Sequence, residues 1–379
     1  MVNKTVGTTR SFAIMGAASA SLPASIPLRA KDLGVPVEGL LTSIPLLFFG
    51  LLIGIIITPL ISSRFGSNKQ VKFALIIQAI GVLGLGFSTS RILFVISAFV
   101  LGLGFGQLEV LITSILRLTS ELVGKALTRI GAFLAFSAFL TPLLLLASES
   151  IASKKLVFLF IFFWSGRVAF IFSSPDVKNS KQSINILKNK SFAAYFLLFA
   201  SIFYVGSETI LAGWSAVFFE KNVSTNLNIA PIGTSLFWLF LTLGRVSGSF
   251  ITGKFASAKT TAIFWSAGFS LALILLPVVS ENGATFLVVL LLGVFFAGPC
   301  YGFIIGQAVS YFESELAVKS ASLYVLVGAV GGVVIPLVVQ QGANGDTRKA
   351  IIGAAISSIL ASIFLIVSFR EKVTKAHQS

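Results

Sequence analysis

Polar residues in this chain fall in short breaks, and the apolar runs between them are each long enough to cross a bilayer. A membrane span needs about 20 mainly apolar residues. That ruler gives twelve spans: 11–28, 40–62, 73–87, 92–116, 126–147 and 156–173, then 192–219, 232–250, 261–279, 284–312, 321–339 and 350–369. Composition agrees, since 56% of the 379 residues are hydrophobic and 11% charged, too few polar groups to clothe a water-soluble globule of this size. The expected fold class is an all-α membrane protein with twelve transmembrane helices. The first run imitates a secretory signal, with Lys4 and Arg10 ahead of it and Ala18-Ser19-Ala20 inside. It is kept as a span because cleavage would leave eleven and break the symmetry below.

The net charge of +15 would point to nucleic acid in a soluble protein; here its distribution sets orientation instead. With the N-terminus on the cytosolic side, eighteen Lys and Arg lie on that side, eight lie opposite, and Arg167 and Arg245 fall in or at the end of spans. The positive-inside bias therefore predicts a multi-pass protein of the plasma membrane with both termini cytosolic, in contact with lipid and not with nucleic acid. One cysteine, Cys300, and one histidine, His377, offer no disulfide framework, no metal cluster and no Cys/His nucleophile pair. No metal, no cofactor and no enzymatic activity are expected, since intramembrane catalysis needs a nucleophile and base or a metal pair at one depth.

The longest stretch without membrane character, "SSPDVKNSKQSINILKNK", reads as a cytosolic linker over 173–190. It divides the chain into a six-helix bundle at 1–172 and another at 191–379. An internal repeat supports the division: "SRFGSNK" (63–69) follows span two and "GKFASAK" (253–259) follows span eight, with a base, a Phe, a Ser and a Lys at matching offsets. Two six-span halves related by an axis along the membrane normal are an arrangement used by transporters.

Of thirteen acids, eleven lie in or beside polar breaks; Glu109 and Glu208 do not. A carboxylate at bilayer depth costs roughly 2.5–3.5 kcal/mol on insertion scales, so it faces a cavity and has a use there. Glu208 is eighteen residues past Lys190 and twelve before Glu220, about 27 and 18 Å of helix. Glu109 is eighteen past Arg91 but eight before Arg117, about 12 Å from the inner boundary. Both are candidates for proton coupling or substrate binding, the competing reading being a carboxyl hydrogen-bonded to a neighbouring helix. Arg167 is the nearest spare base within a span.

Tyr204, Ser207, Leu211 and Ser215 share a helical face with Glu208, and Trp214, close to that line, can stack on a ring-shaped substrate or anchor at the membrane interface. Pro23 and Pro27 each free a backbone carbonyl in span one, which fits a kinked helix lining a pathway as well as plain packing. Gly102, Gly104 and Gly106 follow no strand, so close helix packing explains them better than a nucleotide loop. Gln107, Thr113, Gln307 and Tyr324 are polar groups at depth, each a substrate-binding candidate or a packed polar residue; of these Thr113 shares Glu109's face and Gln107 does not.

"GFGQLEVLITSIL" in span four, "FYVGSETILAGWSAVFFEK" in span seven, "LGRVSGSFITGKFASAK" from span eight and "SLYVLVGAVGGVVIPLVVQ" in span eleven resemble the fucose–proton symporter family of the major facilitator superfamily. The resemblance implies a sugar transporter working by alternating access between its two bundles. It places Glu109 on the family's span-four carboxylate, associated with sugar binding and proton coupling, and matches Glu208, Gly213 and Trp214 to the span-seven pattern of the glucose-type branch. Span one departs from it, reading Ala20-Ser21-Leu22-Pro23 where fucose members carry an Asn-Asp pair, and Val110-Leu111-Ile112-Thr113 replaces an Asn-Pro. The superfamily's turn motif after span two keeps Arg64 and Gly66, with Pro59 and Ser63 at its other positions; with Arg245 and Lys254 around the matching turn after span eight, these are read as gating-loop residues.

The function expected is secondary active transport of a small polar solute, foremost a monosaccharide, in symport with a proton or sodium ion. Export of amphipathic compounds through a cavity lined by some of the 37 Phe residues is the alternative within transport. A non-transporting receptor on the same fold is the alternative outside it.

Overall fold

A computed structural model describes residues 2–36, 39–40, 42–151, 153, 155–177, 192–222, 230–344 and 346–370, with the side chains at 2–5, 27, 149–151, 213–222, 230–234 and 347 left undescribed. All but the first five residues of the expected linker, 178–190, lie outside this set. The helices of the first half are α1 (Val2–Leu33), α2 (Ser43–Phe65), α3 (Ser67–Phe87), α4 (Arg91–Thr119), α5 (Val123–Ile151) and α6 (Lys155–Ile171). Those of the second are α7 (Phe192–Asn222), α8 (Ala230–Ile251), α9 (Ala258–Leu275), α10 (Gly283–Ala297), α11 (Cys300–Ser310), α12 (Ala317–Ala343) and α13 (Thr347–Ser368). The twelve expected spans are all present. Span ten differs from expectation in being two helices, α10 and α11, because Pro299 has no N–H to continue the ladder.

Nine of these spans are long and apolar enough, among the described residues, to cross a membrane by length and composition alone. Several begin on polar caps in the breaks: Ser90 accepts from the Leu93 amide, Ser257 from Thr260, Asn282 from Thr285, and Asp346 from Arg348 and Lys349. Each such cap satisfies donors that the helix itself leaves open. Large apolar side chains such as Phe163, Phe170, Leu60 and Val278 point outward and are exposed, which lipid tolerates and water would not.

Glycines set how closely the helices approach. A Cβ at Gly102 or Gly106 would collide with the backbone of α2 at Leu47 or Leu51, and one at Gly104 would collide with α3 at Ala74 and Gln78. The glycine triple is therefore packing, one helix pressed between two. Gly50 and Gly54 of α2 return the contact against Phe99 and Leu103. In the second half Gly244 and Gly248 of α8 lie in the same way against Phe295 and Pro299. The α2–α4 contact thus has its counterpart between α8 and α10–α11, which is the structural form of the internal repeat.

Helices α2, α4 and α5 of the first half meet α8, α11 and α12 of the second. Toward the side from which the chain starts, the terminal side, this contact is sealed by polar bonds. Arg117 at the end of α4 donates to the carbonyls of Val309 (3.0 Å) and Phe312 (2.8 Å), capping the C-terminal end of α11 from the opposite bundle. Ser114 donates to the Ala317 carbonyl and Ser322 to that of Ile55, while Gly124 packs on Gly302 and Gly306 with no room for a side chain.

The turns that carry the sequence repeat hold themselves together. Gly66, with φ of 79°, joins α2 to α3, and Asp176 just after α6 accepts from the Asn68 amide at 2.9 Å, while Ser67 Oγ accepts from the Val177 amide. Gly253, with φ of 75°, takes the same role between α8 and α9. Arg64 is exposed at its turn, and the Lys254 ammonium lies over the Phe250 and Phe255 rings at 4.4 and 5.2 Å.

Candidate functional site

The break in span ten is the starting point for the site, because it takes the Ala297 and Gly298 carbonyls out of the helical ladder, which resumes with the Phe303 amide on the Pro299 carbonyl at 3.1 Å, in a region where no carbonyl can be left open. Side chains from three different helices donate to the carbonyls of the break. The Tyr204 hydroxyl of α7 donates to the Ala297 carbonyl at 2.7 Å, Arg245 Nε of α8 to Gly298 at 3.1 Å, and Thr128 Oγ1 of α5 to Pro299 at 3.4 Å. Two come from the second bundle and one from the first, so the break is also a junction between them.

A cavity of about 330 Å³ lies against this junction, walled by residues of both bundles. Its polar groups are Glu109, Thr128, Glu208, Thr209, Arg245 and Tyr301; Phe12, Phe48, Phe105, Phe237 and Trp238 supply aromatic walls. Glu109, on α4, accepts a short hydrogen bond of 2.5 Å from the Tyr301 hydroxyl of α11, across the two bundles. Glu208, on α7, faces Arg245 of its own bundle with 3.9 Å between Oε1 and Nη2, the two side chains being 18% and 10% exposed. Arg245 Nη1 reaches over to the Gly131 carbonyl of α5 at 2.7 Å. The charge of Arg245 acts on both carboxylates.

The sequence reading placed Arg245 in a gating-loop motif; the structure places it in the cavity wall, about two turns inside α8, and the base beside Glu208 is Arg245, while Arg167 is exposed on α6. Glu109 and Glu208 both line the cavity. Tyr204, the break-capping residue, is buried behind the wall, and Ser207 is buried with its hydroxyl on the Tyr204 carbonyl. Gln107 points away from the cavity, accepting from Gln70 Nε2 at 3.2 Å, and Thr113 is buried off it. The Tyr324 hydroxyl is spent on the Ala194 carbonyl, and Gln307 is not among the lining residues.

Of span one, Phe12 lines the cavity, and exposed Pro23 lies three turns along the same helical face. Helix α1 runs through the Pro23 position as one element, with the Ser21 and Ser25 hydroxyls bonded to the Ala18 and Leu22 carbonyls. The side chains of Pro27 and Trp214, and the surroundings of Gly213, lie outside what the structure describes.

Tyr301, Thr128 and Thr209 were missed as site groups, and Arg245 was read as a loop residue and not a cavity group. Tyr301 is announced by the Gly298-Pro299 break two residues before it, since broken membrane helices are tolerated where they line a cavity. Arg245 stands nine residues before Lys254, much as Glu109 stands eight before Arg117, so the two lie at matching depth.

Two six-helix bundles around a central, charge-bearing cavity define a membrane transporter and not an enzyme. The chain belongs to the Major Facilitator Superfamily, whose family model matches residues 9–336. Among curated relatives it is 24% identical over 307 residues to a Protein TsgA homolog of Buchnera aphidicola, covering 77% of this chain and 78% of that one. It is 22% identical over 352 residues to the glucose/mannose transporter GlcP of Bacillus subtilis, covering 86% and 84%. Among solved structures, a point variant of the Escherichia coli fucose:proton symporter FucP superposes with a TM-score of 0.79 over 97% of this chain and 98% of that one, at 15% identity; at that identity the likeness is one of fold.

Proposed function

We propose that this transporter takes up a monosaccharide in symport with a proton, by alternating access of its central cavity, in a plasma membrane with both termini cytosolic and the boundary between bundles in the segment 173–190. The observation that carries the reading is the Tyr301–Glu109 hydrogen bond. A carboxylate from one bundle is held by a phenol from the other, so the bond must break when the bundles exchange orientations. Releasing an ionised carboxylate into a dehydrated cavity is expensive; releasing a protonated one is not. Proton occupancy of Glu109 thereby becomes a condition for reorientation.

The cavity walls suit a sugar ring. Phe12, Phe105, Phe237 and Trp238 offer faces for its C–H surfaces, while Thr128, Thr209, Glu208 and Arg245 can exchange hydrogen bonds with its hydroxyls. The names of two relatives, a glucose/mannose transporter and a fucose:proton symporter, support the same solute class. The test is uptake of labelled glucose, mannose, galactose and fucose into proteoliposomes with and without an inward proton gradient. Gradient-driven accumulation of at least one hexose is expected, and its loss to downhill exchange in Glu109→Gln. Folded protein that accumulates none of the four contradicts the sugar assignment.

A second reading is favoured by one feature, the wall of Phe12, Phe48, Phe105, Phe237 and Trp238: export of an amphipathic compound in exchange for protons. It predicts transport of hydrophobic cations and indifference to hexoses, so the same vesicles separate the two.

A further inference from the structure

We infer that Arg245 is a latch between the bundles, holding the conformation closed on the terminal side through the Gly131 carbonyl, and that Glu208 is the fixed counter-charge that lets the latch open and close within the membrane. The guanidinium presents five donors in a rigid fork, and its three nitrogens are used in three directions. Nε is committed to Gly298 and Nη2 faces Glu208, both in the second bundle; Nη1 alone crosses to the first, at 2.7 Å from Gly131 O.

The fit around the arginine is built in from both sides. A Cβ at Gly131 would lie 3.3 Å from Nη1 and 3.4 Å from Cδ of Arg245, and one at Gly298 would lie 2.6 Å from the Leu241 carbonyl and 3.0 Å from the Arg245 amide. Glycine at 131 lets α5 close on the side chain, and glycine at 298 lets the α10–α11 break lie against the backbone of α8 that carries it. Two bonds in the cavity thus cross between bundles and end on a charged side chain, Tyr301 to Glu109 and Arg245 to Gly131.

They differ in what remains when they open. Arg245 keeps Gly298 and Glu208, so no charge is stranded. A lysine would keep the charge but cannot reach the three acceptors at once. The inference concerns the two conformations and not the solute, so it stands or falls independently of the sugar assignment.

The experiment measures spin-label distances by double electron–electron resonance on the reconstituted full-length protein. Labels are placed at Glu121→Cys and Glu313→Cys, exposed terminal-side positions in opposite bundles; Cys300, buried and bonded to the Phe296 carbonyl, stays in place. The unsubstituted latch is expected to give a distribution dominated by the short, closed distance. Arg245→Lys should raise the ratio of long to short distances by roughly tenfold, as loss of one charge-assisted hydrogen bond predicts. Glu208→Gln, which takes away the counter-charge that an open latch relies on, should not raise that ratio above the parent's. Folded Arg245→Lys protein with the parent's distribution overturns the inference, as does an equal shift in both variants.

Discussion

The two buried carboxylates look alike from their depth in the chain and differ in everything that decides their behaviour. Glu109 is held across the bundles by a neutral phenol that lets go when they part. Glu208 sits beside a guanidinium of its own bundle and travels with it. In the proposed cycle, an acid paired with a fixed positive charge is balanced in both conformations, whereas one paired with a phenol from the other side changes company each time. Depth singles out both carboxylates; on the proposed mechanism the partner decides whether one carries a proton or holds a charge.

The comparison breaks most severely if the counter-charge is removed. Arg245→Gln leaves Glu208 buried without its base and frees the Gly298 and Gly131 carbonyls. Loss of one partner of a buried ion pair costs about 3–5 kcal/mol, so the expected result is low folded yield and no measurable transport. The double variant Arg245→Gln/Glu208→Gln should recover much of the folded yield, read as monodisperse protein in detergent. A double variant no better than the single would mean the pair does not act as a unit.

A smaller effect is expected on the other side of the comparison. Tyr301→Phe removes the hydrogen bond to Glu109 while keeping the ring, and bonds of this kind are worth about 1.5–3 kcal/mol. Proton-driven uptake should fall by roughly tenfold or more, with the folded yield little changed. The same change at Tyr204, which caps the Ala297 carbonyl and also lies within hydrogen-bond reach of Glu208, should lower thermal stability, because it orphans a backbone group. The smallest effect belongs to Gln107→Leu: it removes the bond to Gln70, away from the cavity, and should shift the melting temperature by a few degrees at most while gradient-driven uptake persists.

Much of the architecture was legible because lipid enforces it. Apolar runs of bilayer length separated by basic breaks allow few readings, and all twelve spans appear. The split of span ten was not foreseen, since a proline in a membrane helix breaks it only where neighbours supply donors, and those donors, Tyr204, Arg245 and Thr128, come from three distant stretches of sequence. The same distance hides the pairing of Glu109 with Tyr301, 192 residues apart.

Helical periodicity correctly turned Gln107 away from Glu109, and it grouped Tyr204 with Glu208. It could not say that the tyrosine would be spent on a carbonyl of the break. The reading of Arg245 as part of a loop motif followed from counting it toward the turn after span eight. Measured from Lys254, it stands as deep as Glu109.

The central claim is that Glu109 alone carries the coupling proton, and the direct measurement compares two modes of transport in the same vesicles. Equilibrium counterflow of a transported hexose needs no net proton movement; accumulation against its gradient does. Glu109→Gln is predicted to retain counterflow and lose proton-driven accumulation, while Glu208→Gln loses both in proportion. Proton-driven accumulation surviving in Glu109→Gln, or vanishing in Glu208→Gln with counterflow intact, would contradict the account.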